Sequence, residues 1–300
     1  MFREFAASAL LLGASAAAQA GLPAFCQQSI DISAAEQDRV LRFAGAVKNE
    51  LERSGARVAL IARAGLDLSR FGQLYSHAGV ALRDNPGGPW AVRQLYYACD
   101  ESRPRLFDQG VAGFALGADA PTRGHISLVF LPGEDAALLE GAALDKRLAL
   151  ALLGGEYSAN AYAYGTRYQN CNGWVAELLA SAWGRLDGGA ATHPREDAQG
   201  WLRAQGYTAG PVRIPSHWLM FAGQFVPLVH MNDHPVDDLH ALALHTSVPA
   251  SIEAFVRRRA PQAQRVELCH TQDRIVVRRS WEPLGAACEP APGDDVIPLN

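Results

Sequence analysis

Apolar residues recur at helical spacing through Val40, Leu41, Phe43, Ala44, Val47 and Leu51, behind Ser33-Ala34-Ala35-Glu36, which has the form of a capping box. This pattern predicts a helix over 34–53, closed by Gly55. The spacing then shortens. Residues 58–62 and 75–82 are apolar runs parted by the polar turn 67–72, and 90–98 resumes after the Asp-Asn-Pro-Gly-Gly-Pro stretch at 84–89, so 75–98 predicts a strand hairpin. Further along, the pattern predicts a helix over 106–114, a buried strand over 126–131 and a helix over 135–153. Helical spacing returns after Asn170 and again over 195–206, whereas 212–229 reads as strands broken by Pro215 and Pro227. Beyond Asn232 the character changes to a short helix ending at Arg257-Arg258-Arg259 and a small hairpin over 266–279. The expected fold class is therefore α+β, with a domain over 21–234 and a C-terminal appendage over 235–300.

The first 20 residues change the compartment that this pattern implies. Arg3, the apolar run from Phe5 to Leu12 and Ala18-Gln19-Ala20 have the order of a secretory signal peptide, so a periplasmic or secreted chain is expected. No later run has the length of a membrane span, and no integral segment is expected after processing. The formal net charge of -4 gives no basic field for nucleic acid. Five cysteines, Cys26, Cys99, Cys171, Cys269 and Cys288, leave one unpaired in an oxidising compartment. Of the possible pairings, Cys26 with Cys99 and Cys269 with Cys288 is favoured, because the last two bracket a hairpin-like stretch. Cys171 is then free.

That cysteine sits where a polar turn, Tyr168-Gln169-Asn170, runs into the helical pattern. The unpaired N–H groups and positive dipole end of a helix stabilise a thiolate, so Cys171 is the candidate nucleophile. His77, on the first strand of the predicted hairpin, is the candidate base. Gln94 on the next strand can accept the imidazole N–H without adding charge, with Asp100 as the second choice, and strand alternation turns Arg93 to the opposite face. The Cys171 backbone N–H is a natural oxyanion donor. Tyr164 and Tyr168 are candidates for a second donor, or for aromatics that shape a groove. His230, Asp233, His234 and His240 have potential ligand chemistry, but the prolines around them favour a solvated loop, and neither metal nor cofactor is expected. The three arginines suit the C-terminal end of a helix dipole.

The segments Tyr75-Ser76-His77-Ala78-Gly79-Val80 and Asn170-Cys171-Asn172-Gly173-Trp174-Val175, in that order, resemble the circularly permuted papain-like families, which include permuted NlpC/P60 and lecithin:retinol acyltransferase-like proteins. The resemblance covers roughly residues 56–185, and the wider sequence looks like the bacterial family catalogued as domain of unknown function 2145. It implies a papain-like core in which the cysteine helix packs on a small antiparallel sheet bearing the histidine. It also implies a hydrolase or acyltransferase acting on an amide or ester, with peptidoglycan stem peptides as the first substrate class and lipid acyl bonds as the second. The rival expectation is a catalytically silent module of that fold, binding cell-envelope partners.

Overall fold

The computed structural model of the chain describes residues 32–117, 123–186 and 192–299. The expected signal peptide at 1–20 and Cys26 lie outside them. Helix α1 (Ala34–Arg53) begins with both halves of the capping box, Ser33 and Glu36. Strands β1 (Val58–Arg63), β2 (His77–Leu82), β3 (Ala91–Ala98) and β4 (Arg103–Gln109) follow, then helix α2 (Val111–Leu116) and strand β5 (Gly124–Phe130). Helices α3 (Gly133–Leu144), α4 (Lys146–Ala151), α5 (Cys171–Gly184), α6 (Pro194–Ala204), α7 (His217–Gly223) and α8 (Pro249–Arg259) precede three last strands, β6 (Gln264–His270), β7 (Arg274–Arg278) and β8 (Asp295–Pro298).

These eight strands form one sheet in the order β8-β7-β6-β5-β1-β2-β3-β4, antiparallel throughout. Both its faces are covered, which is why β1 and β5 are buried along their whole length. On one face Phe43, Val47 and Leu51 of α1 and Phe114 of α2 pack on Ile61, Ala81, Val92, Leu128 and Leu268. On the other, Leu139 of α3, Trp174 and Leu178 of α5 and Phe255 of α8 pack on Leu60, Val80, Leu95 and Val129. The chain is thus a mixed α+β protein built on a large sheet, where the sequence suggested a small one.

The extra width comes from the tail. Residues 264–298, read from sequence as part of an appendage, supply three strands, and β6 pairs along its length with β5. A buried polar cluster fastens them: Tyr75 Oη donates to Glu267 Oε1 at 2.5 Å, and Arg265 bridges Glu267 and Glu253 at 2.9 Å each. Cys269 and Cys288 are disulfide-bonded, as expected. Cys99 is also disulfide-bonded, and its expected partner, Cys26, lies outside the described residues.

Three other sequence readings are corrected. The helix expected over 106–114 is strand β4 followed by α2; a reversal at Ser102, with φ 53°, folds Arg103–Gln109 back onto β3, and Gly110 separates strand from helix. The helix expected over 135–153 divides at Asp145, whose carboxylate caps α4 by accepting from the N–H groups of Arg147 and Leu148. Finally, the region 212–229 holds only a two-residue strand at Val212–Arg213. Pro215 and the Ser216 cap start helix α7 instead, with Ser216 Oγ accepting from the Leu219 N–H at 3.2 Å.

Candidate active site

Cys171 is the first residue of α5, and the geometry there follows from Asn170. As N-cap, its Oδ1 accepts from the Gly173 N–H at 2.7 Å, while its Nδ2 donates to Ala159 O and Thr246 Oγ1, both at 3.1 Å. One side chain therefore starts the helix and pins it to two loops. Deeper in α5, Glu177 is buried and receives Arg195, Gln199 and Gln169 at 2.6–3.1 Å. Arg195 also donates to the carbonyls of Thr166 and Tyr168, so this network shapes the loop that delivers the cysteine.

The N-terminus of α5 meets the sheet where strands β2 and β3 part. β2 pairs with β1 from His77 onward, but its ladder with β3 begins only at Val80. Into that opening Asn172 Nδ2 donates to Ser76 O at 3.2 Å, and Cys171 Sγ lies 4.0 Å from the same carbonyl. The sulfur is thus seated against the backbone on either side of His77, with the Ala78 N–H also directed at it. Burial pushes the thiol up to about 11, opposed by the Ala78 N–H, the Arg63 charge and the N–H groups of Asn172 and Cys171 at the helix start. The resting sulfur is a protonated thiol on a residue only 4% exposed.

His77 leaves β2 on the α1/α2 face, its ring 5.8 Å from that of Phe114 and 5.3 Å from that of Tyr96. Helix α5 lies on the other face, beside the stretch where β2 and β3 are unpaired. Among the described residues the sulfur has no hydrogen bond to the ring. The ring's own bond goes to Gln94, with Nε2 2.6 Å from Oε1. Gln94 Nε2 donates to Gln109 Oε1 at 2.8 Å, which leaves the Gln94 oxygen as the acceptor and assigns the imidazole proton to Nε2. Nδ1 is then the basic nitrogen. Burial, and next the Arg63 charge, depress the imidazole to about 3, so it is neutral near pH 7.

The remaining sequence candidates fall in different places. Asp100 is exposed in the turn after β3, whereas Arg93 pairs with Asp108 and donates to Ala143 O on the α3 side, across the sheet from Gln94. Tyr164 donates its hydroxyl to Tyr207 O at 2.6 Å within a cluster of aromatics, so that proton is already engaged. Tyr168 is buried under His230, with the rings stacked at 4.4 Å. Asp233 accepts from the Tyr162 N–H, and His234 contacts Asn160 O at 2.7 Å, which ties their loop to the segment before the cysteine. His240 is exposed.

Sequence reading missed Arg63, Tyr157 and Gln109. Arg63 ends β1 opposite His77 and is 4% exposed; it donates from Nη2 to Tyr96 Oη at 2.9 Å, while Nε and Nη1 have no partner among the described residues. A buried cation without a counter-ion is costly, and its field acts on both His77 and Cys171. The signal was present as the one charge in Val-Ala-Leu-Ile-Ala-Arg. Tyr157, whose acidity is suppressed by burial and then by the negative charge of an ionised Cys171, is a hydroxyl donor within the sulfur's field. Gln109 could not be found, because its strand was read as a helix.

Residues 50–256 match the family described as an uncharacterized protein conserved in bacteria, domain of unknown function 2145, and with well over half its length matched the chain belongs to that family. No curated protein and no solved structure matches the sequence to a significant degree. Among the described residues no helix is long and apolar enough to cross a membrane, and the disulfides fit an oxidising compartment.

Proposed function

We propose that this member of the domain of unknown function 2145 family is an exported, papain-like thiol hydrolase or acyltransferase acting on an amide or ester bond. The observation that carries the reading is the triad-like order of contacts: Gln94 fixes His77 through Nε2, and the Cys171 sulfur is seated on the backbone flanking that same histidine. His77 Nδ1 takes the proton from Sγ as the sulfur attacks the carbonyl carbon, forming the C–S bond. The imidazolium then returns that proton to the leaving nitrogen or oxygen as its bond to carbon breaks. Water, deprotonated by the same nitrogen, attacks the thioester carbonyl, and as the C–S bond breaks the acid is released and the proton returns to sulfur. Because both resting groups are neutral, this is general-base activation within the complex. Arg63 stabilises the anion that develops at sulfur, and the N–H of Cys171 with the hydroxyl of Tyr157 are the oxyanion donors favoured here. Peptidoglycan stem peptides are the first substrate class and lipid acyl esters the second.

The near-complete burial of Cys171 and the rise of its thiol favour a second reading, a silent papain-like binding module. Incubating purified sacculi with the parent and with Cys171→Ser separates the two. Fragment release by the parent alone supports the hydrolase; equal release removes Cys171 from the activity, and binding of sacculi by both without release supports the module.

A further inference from the structure

Among the described residues, the most exposed aromatic cluster is one that the thiol chemistry does not explain. On α7 and the turn after it, Trp218 and Phe225 are each 74% exposed, Val226 is 50% exposed and Phe221 is 49% exposed. The three aromatic rings form a continuous ridge, with centroids 5.8 Å apart for Trp218 and Phe221 and 5.3 Å for Phe221 and Phe225. Buried aromatics are ordinary; a ridge of three in water marks a surface that something covers.

Two observations select the occupant. Much of the ridge's backbone is hydrogen-bonded within the segment: the N–H groups of Met220, Gln224, Phe225, Val226 and Val229 bond to carbonyls of Ser216, Phe221, Ala222, Gly223 and Val226 at 3.0–3.2 Å. That bonding leaves no free strand edge for a protein partner to extend, and it suits a segment that enters the acyl boundary of a bilayer. The charge is also matched. In a chain of net charge -4, no Asp or Glu occurs between Asp197 and Asp233, a stretch that includes Arg203 and the exposed Arg213. Trp and Phe in a segment that carries cations and no carboxylate have the composition of an interfacial anchor. Four side chains at these exposures present on the order of 500 Å², below the roughly 800 Å² per partner of a stable protein interface.

We infer that the Trp218–Val226 ridge is a docking surface for an anionic phospholipid bilayer. It adjoins the loop before Cys171, since Leu228 O accepts from the Ala159 N–H at 2.7 Å and His230 stacks on Tyr168, but the inference does not rest on thiol chemistry. The test is co-sedimentation of the full chain with vesicles of equimolar phosphatidylglycerol and phosphatidylethanolamine, and with phosphatidylcholine vesicles, comparing the parent with Trp218→Ser/Phe225→Ser. The expected result is parent binding to the anionic vesicles, weaker binding to phosphatidylcholine, and at least about tenfold weaker anionic binding in the double variant. Because both side chains are largely exposed, the variant should keep the parent's circular dichroism and melting temperature. Absence of parent binding, equal binding by the variant, or a parent dimer in light scattering that the variant abolishes would each overturn the inference, the last by assigning the ridge to a second copy.

Discussion

At the scale of single residues, His77 carries a pH signature. Its folded-state value, depressed from 6.5 to about 3, means that the folded protein binds a proton less readily than the unfolded chain. The stability this contributes is present above pH 6.5 and is lost as pH falls from 6.5 toward 3, by a few kcal/mol in all at about 1.4 kcal/mol per pH unit. Denaturation curves of His77→Asn should show a shallower acid limb than the parent; equal limbs would place the titration elsewhere. Arg63→Met offers a test of opposite sign for stability and reactivity. Removing a buried cation that has no counter-ion among the described residues should leave the fold unchanged or more stable by about 1–3 kcal/mol, while His77 titrates higher in NMR and Cys171 alkylates only at higher pH than in the parent. Lower stability with unchanged titrations would show that Arg63 is paired. Cys171, His77 and Gln94 were legible in the sequence because each follows from a local rule: helix start, strand position, next strand. Arg63 follows from none of them, since its importance comes from what it lacks.

Among elements, the decisive feature is the seam between β2 and β3. Gly79 sits at its closing edge, where a Cβ would lie 2.6 Å from Val92 Cγ1 and 3.0 Å from Arg93 O. Gly79→Ala should therefore force β3 outward, costing about 1–3 kcal/mol and loosening the bond from Gln94 to His77. Hydrogen exchange of β3 amides would report it, and unchanged protection at Val92 and Gln94 would contradict the tight-seam account. The same scale shows where sequence reading fails. The span 106–114 reads as a helix in local pattern, although pairing with β3 governs Leu106–Gln109. In 212–229 the prolines read as breaks between strands, but Pro215 stands just ahead of the Ser216 cap. Local apolar spacing identifies α1, β1 and β5, whose burial is continuous or single-faced; it cannot identify segments that long-range pairing decides.

For the whole molecule, the sheet makes residues 264–298 part of the support beneath the site. Glu267 on β6 holds Tyr75, two residues before His77, and the disulfide between Cys269 and Cys288 closes β6 against the segment before β8. Cys269→Ser/Cys288→Ser should lower unfolding free energy by about 3 kcal/mol, given a loop of 19 residues, as measured by chemical denaturation; a change below about 1 kcal/mol would make the tail a passive edge. The hairpin of β6 and β7 is legible in the sequence, but β8 and the place of β6 beside β5 are not, because partners more than a hundred residues apart leave no mark in local pattern. The claim that binds these scales is that one neutral thiol is activated by one neutral imidazole. Intact-mass spectrometry after a short pulse with p-nitrophenyl butyrate tests it most directly. The account predicts a butyryl adduct on Cys171, absent in Cys171→Ser and forming at least about a hundredfold more slowly in His77→Ala; an unmodified Cys171 in the parent, or equal rates with and without the histidine, would contradict it.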